Sequence, residues 1–214
     1  MIRRKSRIQT LQTPLGICLL AAVSAVALDA LASERVTSLG ILGSGVQARS
    51  HLRALRMVKP GLKDLRIWSR TKEHADRLSH EVGARSVSIE EAAAADIVLT
   101  ATSSTVPVLE GRWLAPHAVV LSVGATGATV RELDDETLLT SFVVADSTAA
   151  VERESGDVRM SGAKVRAEIG QILADPGLAP GGGRILVKTV GLAIEDLVGA
   201  RLVWESLEAK SGRN

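Results

Sequence analysis

From Val36 onward, short apolar runs alternate with stretches whose apolar residues recur every three or four positions, the signature of strands alternating with helices. "VTSLGILG" reads as a first strand. "VQARSHLRALRMV" reads as a helix with Val46, Leu52, Leu55 and Val58 on one face, stopped by Pro60-Gly61. "LKDLRIW" is a second strand, and "TKEHADRLSHEVG" a helix that Thr71 is placed to cap and Gly83 to end. A short strand "ARSVS", a short helix "IEEAAAA" and a buried strand "DIVLTAT" come next. A fifth strand "HAVVLSVGA", a surface helix "RELDDETLLTS" and a sixth strand "FVVAD" complete the alternation. Strands joined through helices run parallel, because a parallel neighbour is reached only by a crossover. The expected fold is α/β, a doubly wound parallel sheet with helices on both faces.

Past Asp146 the pattern loosens. "STAAVERESGD" and "AKVRAEIGQILAD" read as helices outside the core sheet, "PGLAPGGG" as a loop, "RILVKTV" as strand-like, and "GLAIEDLVGARLVWESLEAK" as a long final helix. The chain thus divides into a segment 1–35 ending in a lead-in helix, a sheet domain 36–175, and a linker, strand and helix over 176–214. At the amino terminus Arg3, Arg4, Lys5 and Arg7 precede "LGICLLAAVSAVAL". A basic start, an apolar run and small residues suit a secretory leader, which would carry the protein out of the cytoplasm, or equally a helix entering the first strand. Asp29 interrupts the run, which is too short to span a membrane.

Composition narrows the chemistry. The 214 residues carry a net charge of +2 from 26 basic and 24 acidic side chains, with one Phe, three Trp and no Tyr. That leaves neither the basic field nor the stacking surfaces of a nucleic-acid binder. The single cysteine, Cys18, rules out an internal disulfide framework and a cysteine metal cluster, and fits a reducing, cytoplasmic setting. His51, His74, His80 and His117 lack the paired spacing of metal ligands.

The informative stretch is "LGILGSGVQARSH". Gly43-x-Gly45-x-x-Ala48 follows a predicted strand, opens a predicted helix and leads to a second strand, the context in which such a run binds a dinucleotide. Gly43 permits the tight turn, Gly45 lets backbone approach a pyrophosphate, and Ala48 lets the helix lie close on the strand. The helix start supplies free N–H groups and a partial positive charge to the phosphates. This is a Rossmann-type arrangement. An NAD site places Asp or Glu at the end of the second strand, but here Trp68-Ser69-Arg70-Thr71 offers no acid before Glu73. Arg70 instead matches a 2′-phosphate, with Ser69 and Thr71 as further donors, so NADPH is expected over NADH. "TATSS" and "SVGAT" end the fourth and fifth strands, which makes Thr102, Ser103 and Val123 candidates for the nicotinamide side.

"ILGSGVQARSHLRAL", "RIWSRTKEHA", "TATSSTVPVLEGRWLAPHAVVLSVGA", "RELDDE", "ESGDVRMSGAKVRAEIGQIL" and "KTVGLAIEDLVGARLVWESL" together resemble the ornithine cyclodeaminase/mu-crystallin family, from about Ala21 to the end. The resemblance implies a Rossmann domain, NADPH, hydride delivery to the C=N bond of a cyclic ketimine, and a homodimer, with a thyroid-hormone-like ligand as the alternative occupant. It places cofactor contacts on Gly43, Gly45, Val46, Gln47, Ser69, Arg70, Thr71, His74, Thr102, Ser103 and Val123, and the substrate side on Glu154 and Thr189. It also matches "AAVSAVALDALA" to the family helix before the first strand. The departures are specific. Family members carry an amino-terminal substrate and dimerisation domain where residues 1–20 stand here, which implies weak activity. An Arg-Thr pair of the family is Leu19-Leu20, and Thr126 stands where cyclodeaminases have a catalytic Asp, which excludes deamination.

Overall fold

The computed structural model describes residues 14–211. Every strand expected between Val36 and Asp146 forms: β1 (Ser38–Leu42), β2 (Asp64–Trp68), β3 (Arg85–Ser86), β4 (Ile97–Thr100), β5 (Val119–Ser122) and β6 (Ser141–Ala145). Two more, β7 (Val165–Glu168) and β8 (Arg184–Lys188), complete an 8-stranded sheet of order β3-β2-β1-β4-β5-β8-β6-β7. All its pairings are parallel. The helices are α1 (Pro14–Leu31), α2 (Val46–Val58), α3 (Lys72–Val82), α4 (Ile89–Ala93), α5 (Asp135–Leu139), α6 (Thr148–Glu154), α7 (Gly156–Ser161), α8 (Ile169–Ala174) and α9 (Ala193–Ser211).

The middles of the central strands, 97–99, 119–121 and 185–187, read as apolar runs because both faces of the sheet are covered. Ile97 and Leu99 of β4, Val119 and Leu121 of β5, and Ile185 and Val187 of β8 join one core, with Leu28 of α1 and Leu55 of α2. The residues between them, Val98, Val120 and Leu186, point into the other core with Leu138 and Val151. The segment that suited either a leader or a helix is α1, and its Leu20, Ala21, Ala25, Ala27 and Leu28 are buried. α9 packs against α1 so closely that a Cβ on Gly199 would lie 2.8 Å from Leu19.

Several expectations need correction. "AKVRAEIGQILAD" is not one helix; its first half is the edge strand β7, and α8 follows without a turn. The strand at 184–188 lies inside the sheet between β5 and β6, so the division at residue 175 does not separate two structural layers. The helix expected over "RELDDETLLTS" begins only at Asp135, and Glu132 and Leu133 before it are fully buried. α2 buries Ala48, His51, Leu52 and Leu55, while Val46 is 61% exposed and leaves the apolar face. Thr71 occupies the position before α3 but its side chain makes no capping hydrogen bond, whereas Gly83 ends that helix in the left-handed conformation as expected.

Candidate functional site

The winding of the sheet reverses between β1 and β4. From β1 the chain moves outward to β2 and β3, and from β4 it moves the other way to β5. Loops leaving adjacent strands in opposite directions open a crevice at the carboxyl ends, the usual ligand position in such sheets. Here it is a groove of about 710 Å³. Gly43, Gly45, Val46 and Gln47 line it beyond β1; Ser69, Arg70, Thr71 and His74 beyond β2; Thr102 and Ser103 beyond β4. Ser44, Trp68, Ala101, Ser104, Val108 and Ile17 of α1, which the sequence reading did not single out, complete the lining.

Val123, Glu154 and Thr189 are not part of that lining. Val123 is buried at the end of β5, where its N–H donates to Thr100 O at 3.0 Å. Thr189 is buried beyond β8; its N–H donates to Ser122 O at 3.2 Å, and its hydroxyl has no hydrogen-bond partner among the described residues. Glu154 ends α6, pairs with Arg153 at 2.6 Å, and its carbonyl accepts from Gly127 N–H. Val123 and Thr189 directly follow the carboxyl ends of β5 and β8, strands farther from β1 than β4.

The turn after β1 is held on both sides. Gly43 has φ of 124° and donates its N–H to Trp68 O at 2.8 Å. A Cβ there would lie 2.4 Å from Ala101 O, so only glycine fits between the exits of β1 and β4. Ser44 Oγ lies 3.0 Å from Ser69 Oγ and ties the turn to the end of β2. Beyond it α2 starts with no side-chain cap and no acid in its first turn. The first amides of a helix have no partner within it, so Gly45, Val46 and Gln47 present backbone donors and the positive end of the helix dipole to the groove. A Cβ on Gly45 would meet nothing within 4 Å. An anion can therefore come directly against this backbone, and the set fits a pyrophosphate.

The β2 side of the groove fits a second phosphate. Arg70 is exposed and its guanidinium has no ion-pair partner among the described residues. With the Thr71 hydroxyl free of capping duty and no acid in the strand end, these groups are available to a ribose phosphate. The opposite end, Ala101 to Ser104 and Val108, carries no charged side chain.

Behind that uncharged end sit charged groups that the sequence reading passed over. Glu132, Asp157 and Lys188 are each 0% exposed, and Lys188 Nζ lies 3.0 Å from Asp157 Oδ2. The signal was present as single charges inside apolar runs, Lys188 in "RILVKTV" above all, but the pairing is set by the sheet. Asp146, at the end of β6, is raised above the usual carboxylate range by burial, although Val190, Gly191 and Ser147 N–H groups donate to it. Burial, aided by the nearby charge of Asp146, likewise raises Glu195 at the start of α9.

Residues 15–211 match the sequence model of the ornithine cyclodeaminase/mu-crystallin family. Ketimine reductase mu-crystallin of Mus musculus is 40% identical over 190 residues, 87% of this chain and 60% of that protein. A Delta(1)-pyrroline-2-carboxylate/Delta(1)-piperideine-2-carboxylate reductase of Azospirillum brasilense is 32% identical over 202 residues, 89% of this chain and 62% of its own length. The structure of Thermococcus litoralis Delta(1)-pyrroline-2-carboxylate reductase in complex with NADH and L-proline superposes with a TM-score of 0.84 at 32% identity, covering 92% of this chain and 67% of that one. The chain thus spans 60% of the length of the mouse relative. With the family model running along nearly the whole chain, and the glycine turn, open helix start and winding reversal meeting at one groove, the chain belongs to the ornithine cyclodeaminase/mu-crystallin family.

Proposed function

We propose that the chain binds NADPH along the groove and acts as an oxidoreductase on the C=N bond of small cyclic imines bearing a carboxylate. The observation that carries this reading is the pairing, in one groove, of an uncapped helix start free of acids with an uncommitted arginine at the end of β2. The first suits the pyrophosphate, the second the 2′-phosphate. The reductases among the relatives support the substrate class, and the Thermococcus enzyme's NADH supports a nicotinamide cofactor. Preference for the phosphorylated form rests on Arg70, the Thr71 hydroxyl and the lack of an acid at the end of β2.

NADPH, when bound, supplies the hydride that the imine carbon accepts. The residues of this chain bind and orient. Gly43 to Gln47 hold the phosphates, Arg70 and Thr71 fix the adenosine half, and Thr102 and Ser103 border the reacting half. No titratable side chain lines that end of the groove among the described residues, which suits an imine that arrives protonated and needs no proton from the protein. The same reading takes the apolar residues exposed on α9, Leu197, Leu202 and Trp204 among them, as a surface that a second copy covers; sedimentation over a range of concentrations tests it. The function itself is tested by following NADPH absorbance with Delta(1)-piperideine-2-carboxylate or Delta(1)-pyrroline-2-carboxylate present. Imine-dependent oxidation, faster with NADPH than with NADH, is expected. NADPH binding with no oxidation on either imine would overturn the reductase assignment.

A further inference from the structure

The carboxylate of Glu132 is fully buried and takes five hydrogen bonds on two oxygens. Thr102 donates to Oε1 from its backbone N–H at 2.7 Å and from its hydroxyl at 2.6 Å. Oε2 accepts from Thr100 Oγ1 at 3.1 Å, Gly124 N–H at 2.9 Å and Ala125 N–H at 3.0 Å. One side chain therefore joins the loop leaving β4 to the loop leaving β5. The fit is close: a Cβ on Gly124 would lie 2.3 Å from Glu132 Oε1 and 2.4 Å from Thr102 O.

Glu132 is itself fixed from behind. Asp157 Oδ1 accepts from Glu132 N–H at 2.9 Å and from Leu133 N–H at 3.1 Å. Its partner Lys188 donates to Ser122 Oγ at 3.0 Å and to Ala125 O at 3.1 Å. The ends of β4, β5 and β8 and the start of α7 thus meet on three buried charged residues. Stability alone does not call for this. Apolar residues of similar volume commonly match or exceed a buried ion pair, because its desolvation offsets much of its attraction. What a buried polar network supplies is a single geometry. The geometry set here belongs to the groove, since Thr102 lines it while Glu132, Asp157 and Lys188 do not.

We propose that Glu132 is a positioning residue for the nicotinamide half of the groove, holding Thr102 and the Gly124-Ala125 loop at the spacing that the second half of a dinucleotide needs. The proposal rests on the reading of the groove as an NADPH site. The adenosine half, bordered by Ser69, Arg70 and Thr71, is reached by none of these bonds. A change at Glu132 should therefore weaken the whole cofactor and spare a fragment that ends at the phosphates.

The test titrates the full chain, and its Glu132→Gln and Thr100→Val variants, with NADPH and separately with 2′,5′-ADP, which carries adenine, ribose and the 2′-phosphate but no nicotinamide. An amide in place of the carboxylate points a donor at donors whichever way it turns, so Glu132→Gln should weaken NADPH about tenfold or more. Its affinity for 2′,5′-ADP should stay within about twofold of the unmodified chain. Thr100→Val removes one bond and keeps the shape, so it should show the same split at about threefold, and it carries the test if Glu132→Gln does not fold by circular dichroism. Equal loss for both ligands, or no loss for either, in a folded variant overturns the proposal. Failure of the unmodified chain to bind either ligand would instead remove the NADPH reading, and the proposal with it.

Discussion

Replacing Gly43 and Gly45 in turn should separate the fold from the site. Gly43 has φ of 124°, a conformation that side chains with a Cβ avoid, and a Cβ there would sit 2.4 Å from Ala101 O. That carbonyl cannot withdraw freely, because the same residue's N–H holds Leu42 O at 2.8 Å across the β1–β4 pair. Backbone strain of about 1–3 kcal/mol together with the clash makes about 3 kcal/mol a fair figure for Gly43→Ala. In a domain of this size that lowers the melting temperature by about 6–12 °C. Gly45 is the opposite case. Its backbone is extended, at φ −80° and ψ −166°, and a Cβ would touch nothing within 4 Å. Gly45→Val should change stability by about 1 kcal/mol or less, mostly through a poorer helix start. Its side chain, however, would stand where the proposed site brings the pyrophosphate against backbone, so NADPH affinity should fall about tenfold or more, at least about 1.4 kcal/mol. Thermal melts and calorimetric NADPH titrations of both variants decide the matter. A Gly45→Val protein that binds like the unmodified chain would place the phosphates elsewhere, and a Gly43→Ala protein that melts unchanged would contradict the turn geometry.

Three further outcomes follow from the same structure. Unmodified protein should bind NADPH about tenfold more tightly than NADH, and Arg70→Asp should reverse the order; equal affinities before mutation would remove the role given to Arg70. Lys188→Met leaves Asp157 buried without its cation and should cost about 3–5 kcal/mol in urea denaturation, so an unchanged midpoint would refute the ion pair as described. Burial pushes the His51 imidazole from 6.5 down to about 4, against the opposing pull of Gln47 O. The unfolded chain therefore takes up a proton that the native one refuses. Stability should be full above about pH 6.5 and fall toward pH 4 by on the order of 3 kcal/mol, and the fall should shrink in His51→Gln.

The sheet was legible where burial writes itself locally. Strands β4 and β5 are covered on both faces, so "IVL" and "VVL" run without a polar residue until Thr100 and Ser122 at the strand ends. β7 was missed because "KVRAE" lies at the sheet edge, where only Ala167 is buried, and runs straight into α8 with no turn residue between. The insertion of β8 between β5 and β6 is a long-range pairing that no local period records. That Gly43 to Gln47 and Ser69 to Thr71 line one groove was readable because each run follows the end of a strand. Glu132 was not, since its acid-rich neighbourhood "RELDDE" looks like a solvated helix face, and only the meeting of Thr102, Gly124 and Ala125 explains its burial.

One groove should hold one dinucleotide by its phosphates. Calorimetric titration of the unmodified chain with NADPH, repeated in saturating 2′,5′-ADP, tests it most directly. A single site per chain is expected, with an apparent affinity that drops in the presence of the fragment, because both compete for Arg70 and its neighbours. NADPH binding that 2′,5′-ADP leaves unchanged, or no binding at all, would contradict it.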